Sequence, residues 1–238
     1  VKPHIARKAV MAGAVVSALL ALNRVSTLSA QDLPSNRCDL ALVVLADLTR
    51  VSWPKESVRD LRDAVEHVVS QMVGASAAVV VGGVADQIKI SSFLKPSEVV
   101  AATKQVFEFP WNRRFGNALV WDGLYTAINR LSESDPERTR TIVVVTAGRP
   151  TGNVRTFEEV VARAREAGVT IHSIVRPMYE QVMVQAESDT AFRISPSLIF
   201  EDVSRLTGGT LLKSKAIDTA TVEDNLRRVL RLSCPAER

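Results

Sequence analysis

Two short runs built entirely of apolar residues constrain this chain more than any other feature. Residues 40–45 read Leu-Ala-Leu-Val-Val-Leu and residues 142–145 read Ile-Val-Val-Val. A strand with one wet face alternates apolar and polar residues, whereas an unbroken run is the pattern of a strand covered on both faces. Each run leads into a helical pattern. After the first, Val58, Leu61, Val65, Val68, Val69 and Met72 recur at spacings of three and four over residues 54–72, one apolar stripe of an amphipathic helix. Ser52 suits the cap of that helix and Pro54 its first turn. After the second, residues 157–167 read as a helix closed by Gly168.

The remaining segments continue the alternation. Residues 79–81 form a buried strand that Gly82, Gly83 and Asp86 interrupt, and residues 87–93 alternate as a half-exposed, antiparallel strand near an edge. Helices follow over 96–106 and 118–131. Residues 169–175 are a strand, 176–196 irregular or weakly helical, 197–206 a helix stopped by Gly208-Gly209, 210–212 a short strand and 222–232 a final helix. This order implies an α/β fold: a doubly wound, mostly parallel six-stranded sheet of Rossmann-like type, with one antiparallel edge strand and helices on both faces. No Pro/Gly/Ser linker or internal repeat divides residues 31–238, so they read as one domain.

Residues 1–30 read as an address. Lys2, Arg7 and Lys8 precede a charge-free apolar run over 9–22, followed by the small-residue exit Thr27-Leu28-Ser29-Ala30. The run is short for a membrane span and fits a secretory signal, with an uncleaved N-terminal anchor as the alternative. The expected location is secreted or periplasmic, with no membrane contact beyond this segment. The formal charge of +4 comes from the same place. Lys2, Arg7, Lys8 and Arg24 are unmatched by any acid before residue 31, and basic and acidic residues balance thereafter. A neutral domain gives no support to nucleic-acid binding.

In a doubly wound sheet a site lies beyond the carboxyl ends of the strands, where the winding reverses. The two most apolar strands end in Asp47-Leu48-Thr49-Arg50-Val51-Ser52 and Thr146-Ala147-Gly148. A carboxylate beside hydroxyls is the donor type that hard cations take. Asp47, also able to cap the start of the next helix, and Asp122, beside Trp121, are the acids an α/β enzyme would use. No Gly-x-Ser-x-Gly, His-Glu-x-x-His, P-loop or Gly-x-Gly-x-x-Gly pattern accompanies them. His67 and His172 stand apart from any nucleophile and read as structural, and Asp122 as an anchor for the neighbouring loop.

Five segments carry a resemblance: Leu42-Val43-Val44-Leu45-Ala46-Asp47-Leu48-Thr49, the stretch 116–125 from Gly116-Asn117 to Leu124-Tyr125, Ile142-Val143-Val144-Val145-Thr146-Ala147-Gly148, Gly168-Val169-Thr170-Ile171-His172-Ser173-Ile174, and Leu206-Thr207-Gly208-Gly209-Thr210. In this order they resemble a von Willebrand factor type A domain of secreted bacterial style over residues 39–232. The resemblance implies a metal-ion-dependent adhesion site with the pattern Asp-x-Ser-x-Ser, a Thr on a second loop and an Asp after the central strand. Asp47 matches and Thr49 replaces the first Ser. Val51 stands at the second Ser, with Ser52 one residue on, Asn117 at the Thr and Ala147 at the second Asp. One carboxylate without a firm third ligand implies a degenerate site that needs no cofactor, Mg²⁺ being the metal it would take.

The implied function is non-catalytic binding of a protein or cell-surface ligand. Metal-dependent binding through Asp47, Thr49, Ser52 and Asn117 is the second reading, and an α/β enzyme the third. Residues 107–115 concentrate Phe107, Phe109, Trp111 and Phe115 with Arg113 and Arg114. Aromatic and Arg side chains dominate binding hot spots, so Trp111, Arg113 and Arg114 are the expected partner contacts, while the phenylalanines read equally as core plugs. Cys38 precedes the first strand and Cys234 follows the last helix. In such a fold the termini lie close, so the pair is expected to form a disulfide clasp in an oxidising compartment.

Overall fold

A computed structural model describes residues 39–49, 55–72, 76–111, 117–147, 150–176, 182–184, 192–194, 196–214 and 218–234, all within the unit Asn36–Arg238. Residues 1–30, read above as an export signal or anchor, lie outside the described residues. Strand β1 (Leu40–Asp47) is buried at every position, as its unbroken apolar run requires. It pairs in parallel with β2 (Ala78–Val84) on one side and β4 (Thr139–Thr146) on the other. Beyond β2 lies the antiparallel edge strand β3 (Ile88–Ile90), and beyond β4 follow β5 (Val169–Val175) and β8 (Leu211–Lys213), both parallel. The six-stranded order β3-β2-β1-β4-β5-β8 has one antiparallel member and reverses its winding between β1 and β4.

Alternation along β1 sorts the core into two halves. Leu42, Val44 and Ala46 pack with Leu61, Val65, Val68 and Val69 of α1 (Lys55–Met72) and with Leu226 and Val229 of α6 (Thr219–Ser233). Val43 and Leu45 pack with Leu124, Ile128 and Leu131 of α3 (Val120–Ser132), Val160 of α4 (Phe157–Glu166), and Phe200 and Val203 of α5 (Pro196–Leu206). Helices therefore cover both faces, with α2 (Val99–Phe107) joining the α1 side.

Several boundaries differ from the sequence expectation. Gly82 and Gly83 do not interrupt β2. A Cβ on Gly82 would sit 2.8 Å from Leu45 Cδ1, and one on Gly83 2.7 Å from Trp111 Cζ2. These glycines let side chains rest on the strand, a use of glycine that tertiary contact alone reveals. The first turn of the helix expected over 96–106 is a short 3-10 turn, Pro96–Glu98. Helix α6 starts earlier than its apolar stripe because the Asp218 carboxylate accepts the Thr221 N–H at 2.7 Å. Within the stretch read as irregular or weakly helical, Val182–Val184 (β6) and Phe192–Ile194 (β7) form a two-stranded antiparallel sheet of their own.

Among the described strand residues, one buried side chain lacks a partner. Thr141 of β4 is fully buried and its Oγ1 has no hydrogen-bond partner. Replacing it by the near-isosteric valine removes an unsatisfied polar atom. Thr141→Val is expected to stabilise the domain by about 1 kcal/mol, read as a rise of a few degrees in thermal melting.

Candidate functional site at the strand tips

Asp47 ends β1 and Thr146 ends the adjacent β4. The pairing of Ala46 with Val145 brings the two side by side. The Thr146 hydroxyl donates to Asp47 Oδ2 at 2.8 Å. Asp47 Oδ1 accepts the Thr49 backbone N–H at 3.1 Å and the Thr49 hydroxyl at 2.8 Å. All three side chains are buried, Asp47 completely. The chain turns away from β1 through a bond from the Leu48 N–H to the Val84 carbonyl, 2.7 Å, which fixes the tip against β2. Low surrounding polarity makes such a set mutually dependent: each hydroxyl holds the carboxylate, and the carboxylate leaves no hydroxyl bare.

The described donors, one carboxylate and two hydroxyls, do not by themselves complete a Mg²⁺ shell. An octahedral site needs oxygens converging at about 2.0–2.1 Å. Here one carboxylate has both oxygens accepting hydrogen bonds, and the position beyond β4 is Ala147, a buried methyl group. Among the described residues no cluster of three or more His, Cys, Asp or Glu side chains is arranged to hold a metal. Ser52 lies outside the described residues. Asn117 is exposed and lies against Gly152, whose Cβ, were there one, would fall 2.8 Å from Asn117 Cγ. Gly152 also has φ of +74°, so the close approach and the backbone both exclude a side chain there. The structure thus unites Asp47 and Thr49, adds Thr146, and places Asn117 on the neighbouring loop.

That loop is tied to α3 reciprocally. Ala118 and Thr151 exchange backbone bonds of 3.1 and 3.0 Å. Asn153 Oδ1 accepts the N–H groups of Trp121 and Asp122 at the start of α3, while its Nδ2 donates to the Ala118 carbonyl. In return the Asp122 carboxylate accepts the N–H groups of Val154 and Arg155 at 3.0 and 2.8 Å. Asp122 is a loop anchor with both oxygens engaged. Thr156 then caps α4, its side chain accepting the Glu159 N–H while the Glu159 carboxylate accepts the Thr156 N–H. Residues 151–156 form a hydrogen-bonded rim beside the strand tips.

Trp111 is half-buried. It packs on the core beside Gly83, donates Nε1–H to the Val106 carbonyl at 3.0 Å and meets Phe109 edge-to-face with ring centroids 5.0 Å apart. Phe107 is buried. Lys89 lies 4.4 Å from the centre of the Phe109 ring, a cation–π contact. Arg113, Arg114 and Phe115 lie outside the described residues, as does Cys38. Cys234 is the residue after α6, its N–H bonded to the Leu230 carbonyl at 3.0 Å.

His67 is half-exposed, 3.6 Å from Glu223. His172 lies buried in β5, where Nδ1 accepts the Thr210 N–H at 3.2 Å. Burial pushes its pKa from 6.5 down to about 4, so the folded protein holds it neutral. The unfolded chain takes up the proton first as the pH falls, and stability drops across the window from about 6.5 to 4. The expected loss from this group is about 2 kcal/mol between pH 7.5 and pH 5. Urea unfolding at the two values, compared with His172→Gln, measures it: the variant should lose most of that difference.

Sequence reading places Thr146 at the strand tip without assigning it to the site, and it misses Asn153. Thr146 carried a signal, a hydroxyl ending a central strand next to Asp47. Asn153 carried none, since its cap acts on a helix more than thirty positions earlier.

No protein-family model matches the sequence, and no curated protein matches it. Solved structures do match in three dimensions. The conserved hypothetical protein BatB from Bacteroides thetaiotaomicron aligns with TM-score 0.57 and 10% identity, over 82% of this chain and 98% of that one. The pilus adhesin SpaC from Lactobacillus rhamnosus GG aligns with TM-score 0.59 and 11% identity, over 83% of this chain and 30% of that one. A von Willebrand factor type A protein from Catenulispora acidiphila aligns with TM-score 0.60 and 14% identity, over 82% of this chain and 42% of that one. At these identities the likeness concerns architecture: the sheet order, the covered faces and the β1–β4 switch point give this chain the fold of a von Willebrand factor type A domain.

Proposed function

We propose that the domain is an exported, non-catalytic binding module that takes a protein or cell-surface ligand at its strand-tip face without a metal. The observation that supports this most is the Asp47 cluster. The one carboxylate at the switch point is committed to Thr49 and Thr146, which favours a structural keystone over an acid, base or metal ligand. Asp122 is committed in the same way, which argues against the enzyme reading. The description of one structural neighbour as a pilus adhesin points toward binding.

The contacts we assign are Trp111, Arg113 and Arg114. Trp111 is anchored as a half-buried platform, and the two arginines follow it within three positions. Among the described residues no helix is long and apolar enough to cross a membrane, and the basic, apolar residues 1–30 supply the export signal of this reading. A Cys38–Cys234 bridge belongs to the same proposal. No free cysteine occurs among the described residues, and the Asp39 carbonyl, next to Cys38, is fixed to the Thr139 N–H at 2.9 Å. Closing a loop of almost the whole domain would stabilise it by about 5 kcal/mol in the chain-entropy view.

The test is capture of the ligand from the native envelope fraction, with and without EDTA, by wild type and by Arg113→Ala with Arg114→Ala. Capture should survive EDTA and weaken by about 2 kcal/mol or more in the variant. Loss in EDTA, or an unaffected variant, contradicts the proposal.

A further inference from the structure

The six-stranded sheet stops at β8, and among the described residues no strand pairs with its outer side. The bonds to β5 decide which backbone groups face outward. The Ser173 N–H donates to the Thr210 carbonyl at 3.0 Å and the Ser214 N–H to the Val175 carbonyl at 2.9 Å. Ser173 pairs with Leu211 and Val175 with Lys213. In a parallel ladder of this register the N–H and C=O of Leu212 also turn toward β5. The N–H and C=O groups of Leu211 and Lys213 therefore point away from the sheet. The other end of the sheet is blunted. Just past β3 the Ser91 N–H donates to the Val81 carbonyl, and Leu94 exchanges bonds with Val79. That is three steps along one strand against two along its neighbour, a bulge that bends an edge away from pairing. The three residues of β8 pair with β5 without a break.

The helices beside β8 expose apolar side chains. Helix α6 meets α1 through Glu223, 3.6 Å from His67, and through Arg227, which donates to Gln71 Oε1 at 3.1 Å. Leu232 comes two and a half turns after Glu223, so it occupies the flank turned away from α1, on the β8 side. It is 51% exposed. On the other face α5 packs over β5 and β8 and exposes Leu198 at 53% and Leu206 at 38%. The other large hydrophobic side chains exposed among the described residues are Val100 on α2 and Val154 on the rim. Every exposed leucine thus belongs to the two helices that flank the open edge.

We propose that the β8 edge is the interface through which a second copy of this chain adds to the sheet, antiparallel, about a two-fold axis at Leu212. Antiparallel strands bond through pairs that exchange both N–H and C=O, and such pairs recur at every second residue. The outward groups of Leu211 and Lys213 have that spacing. Leu211 of one protomer would exchange two bonds with Lys213 of its partner, and the symmetry repeats the exchange. The register sets each lysine opposite a leucine, so the two lysines do not meet. A three-residue strand covers too little for a stable dimer, which buries about 1,200 Å² or more. Leu198 and Leu206 on one face and Leu232 on the other extend the contact over the flanking helices. The self-complementary patch is the kind a two-fold interface requires. The inference needs nothing from the strand-tip reading.

The experiment is analytical ultracentrifugation of the full chain across about a hundredfold range of concentration, with hydrogen exchange at both ends of the range. The chain should pass from monomer to dimer, and the Leu211 and Lys213 N–H groups should become protected as it does. Lys213→Pro removes an outward N–H and no bond to β5, so it should raise the dimer dissociation constant about tenfold or more while the circular dichroism stays that of wild type. Leu198→Lys with Leu232→Lys, both at exposed positions, should weaken the dimer without touching the backbone and serves if the proline variant fails to fold. Val100→Lys, at the far end of the sheet, should change nothing. A chain that stays monomeric throughout overturns the proposal. So does association that survives both edge variants, or that leaves the Leu211 and Lys213 N–H groups exchanging as fast as in dilute protein.

Discussion

Asp47→Ala is expected to cost about 4 kcal/mol of folding stability. The side chain is wholly buried and accepts hydrogen bonds from the Thr49 N–H, the Thr49 hydroxyl and the Thr146 hydroxyl. Truncation removes the shared acceptor while the donors stay in place, Thr49 and Thr146 being nearly or fully inaccessible. Each stranded donor costs about 1–3 kcal/mol, and the relief of no longer burying a carboxylate offsets part of the total. Asp47→Asn keeps the shape and one acceptor. One hydroxyl must then turn to accept from the new amide, so its cost should be about half. Urea unfolding of the three proteins measures both values. An Asp47→Ala variant as stable as wild type would show that the cluster is not a keystone, and an Asn variant worse than Ala would show that charge rather than bonding dominates.

Gly209→Ala is expected to destabilise by about 3 kcal/mol. Its φ is unremarkable and the obstacle is space. A Cβ there would lie 1.9 Å from the Ile171 carbonyl oxygen and 2.6 Å from its carbon. Both are backbone atoms of β5, held in the sheet, so neither moves without breaking the ladder. The alternative is to push out residues 209–210, which carry the Gly209 N–H to Ser204 bond at 2.7 Å and the Thr210 N–H to His172 bond at 3.2 Å. Gly208→Ala, where φ is +81° with open space around it, should cost only about 1 kcal/mol, because conformation and not collision is at issue. Thermal melting of the two variants should keep that order. The reverse order would contradict the close approach of residue 209 to β5.

Legibility followed the source of each element's stability. The runs 40–45 and 142–145 are buried on both faces, so burial alone wrote their sequence, and from them the parallel sheet and its switch point follow. Strand β4 extends back to Thr139-Arg140 because backbone pairing with β1 and β5 needs no apolar side chain there. The β6–β7 pair escaped notice because three-residue strands set among polar neighbours show no period. Gly82-Gly83 looked like an interruption because glycine weakens an isolated strand, while Leu45 and Trp111 resting on it decide otherwise. At the site, Asp47 was visible as an acid at a strand tip. Its partner Thr146 was not weighed, because a threonine ending a strand satisfies β preference and bonding equally well. Asn153 acts across two loops, and no local pattern encodes that.

Binding at the strand-tip face without a metal is the central claim. The most direct measurement is thermal melting of the wild-type domain after chelation, titrated with Mg²⁺ through the millimolar range and against Ca²⁺ and a monovalent salt of matched ionic strength. With Asp47 closed by Thr49 and Thr146, and Ala147 offering no side-chain oxygen, Mg²⁺ should raise the melting temperature no more than the salt control does. A Mg²⁺-specific rise, saturating with concentration as binding linkage requires, would contradict the account.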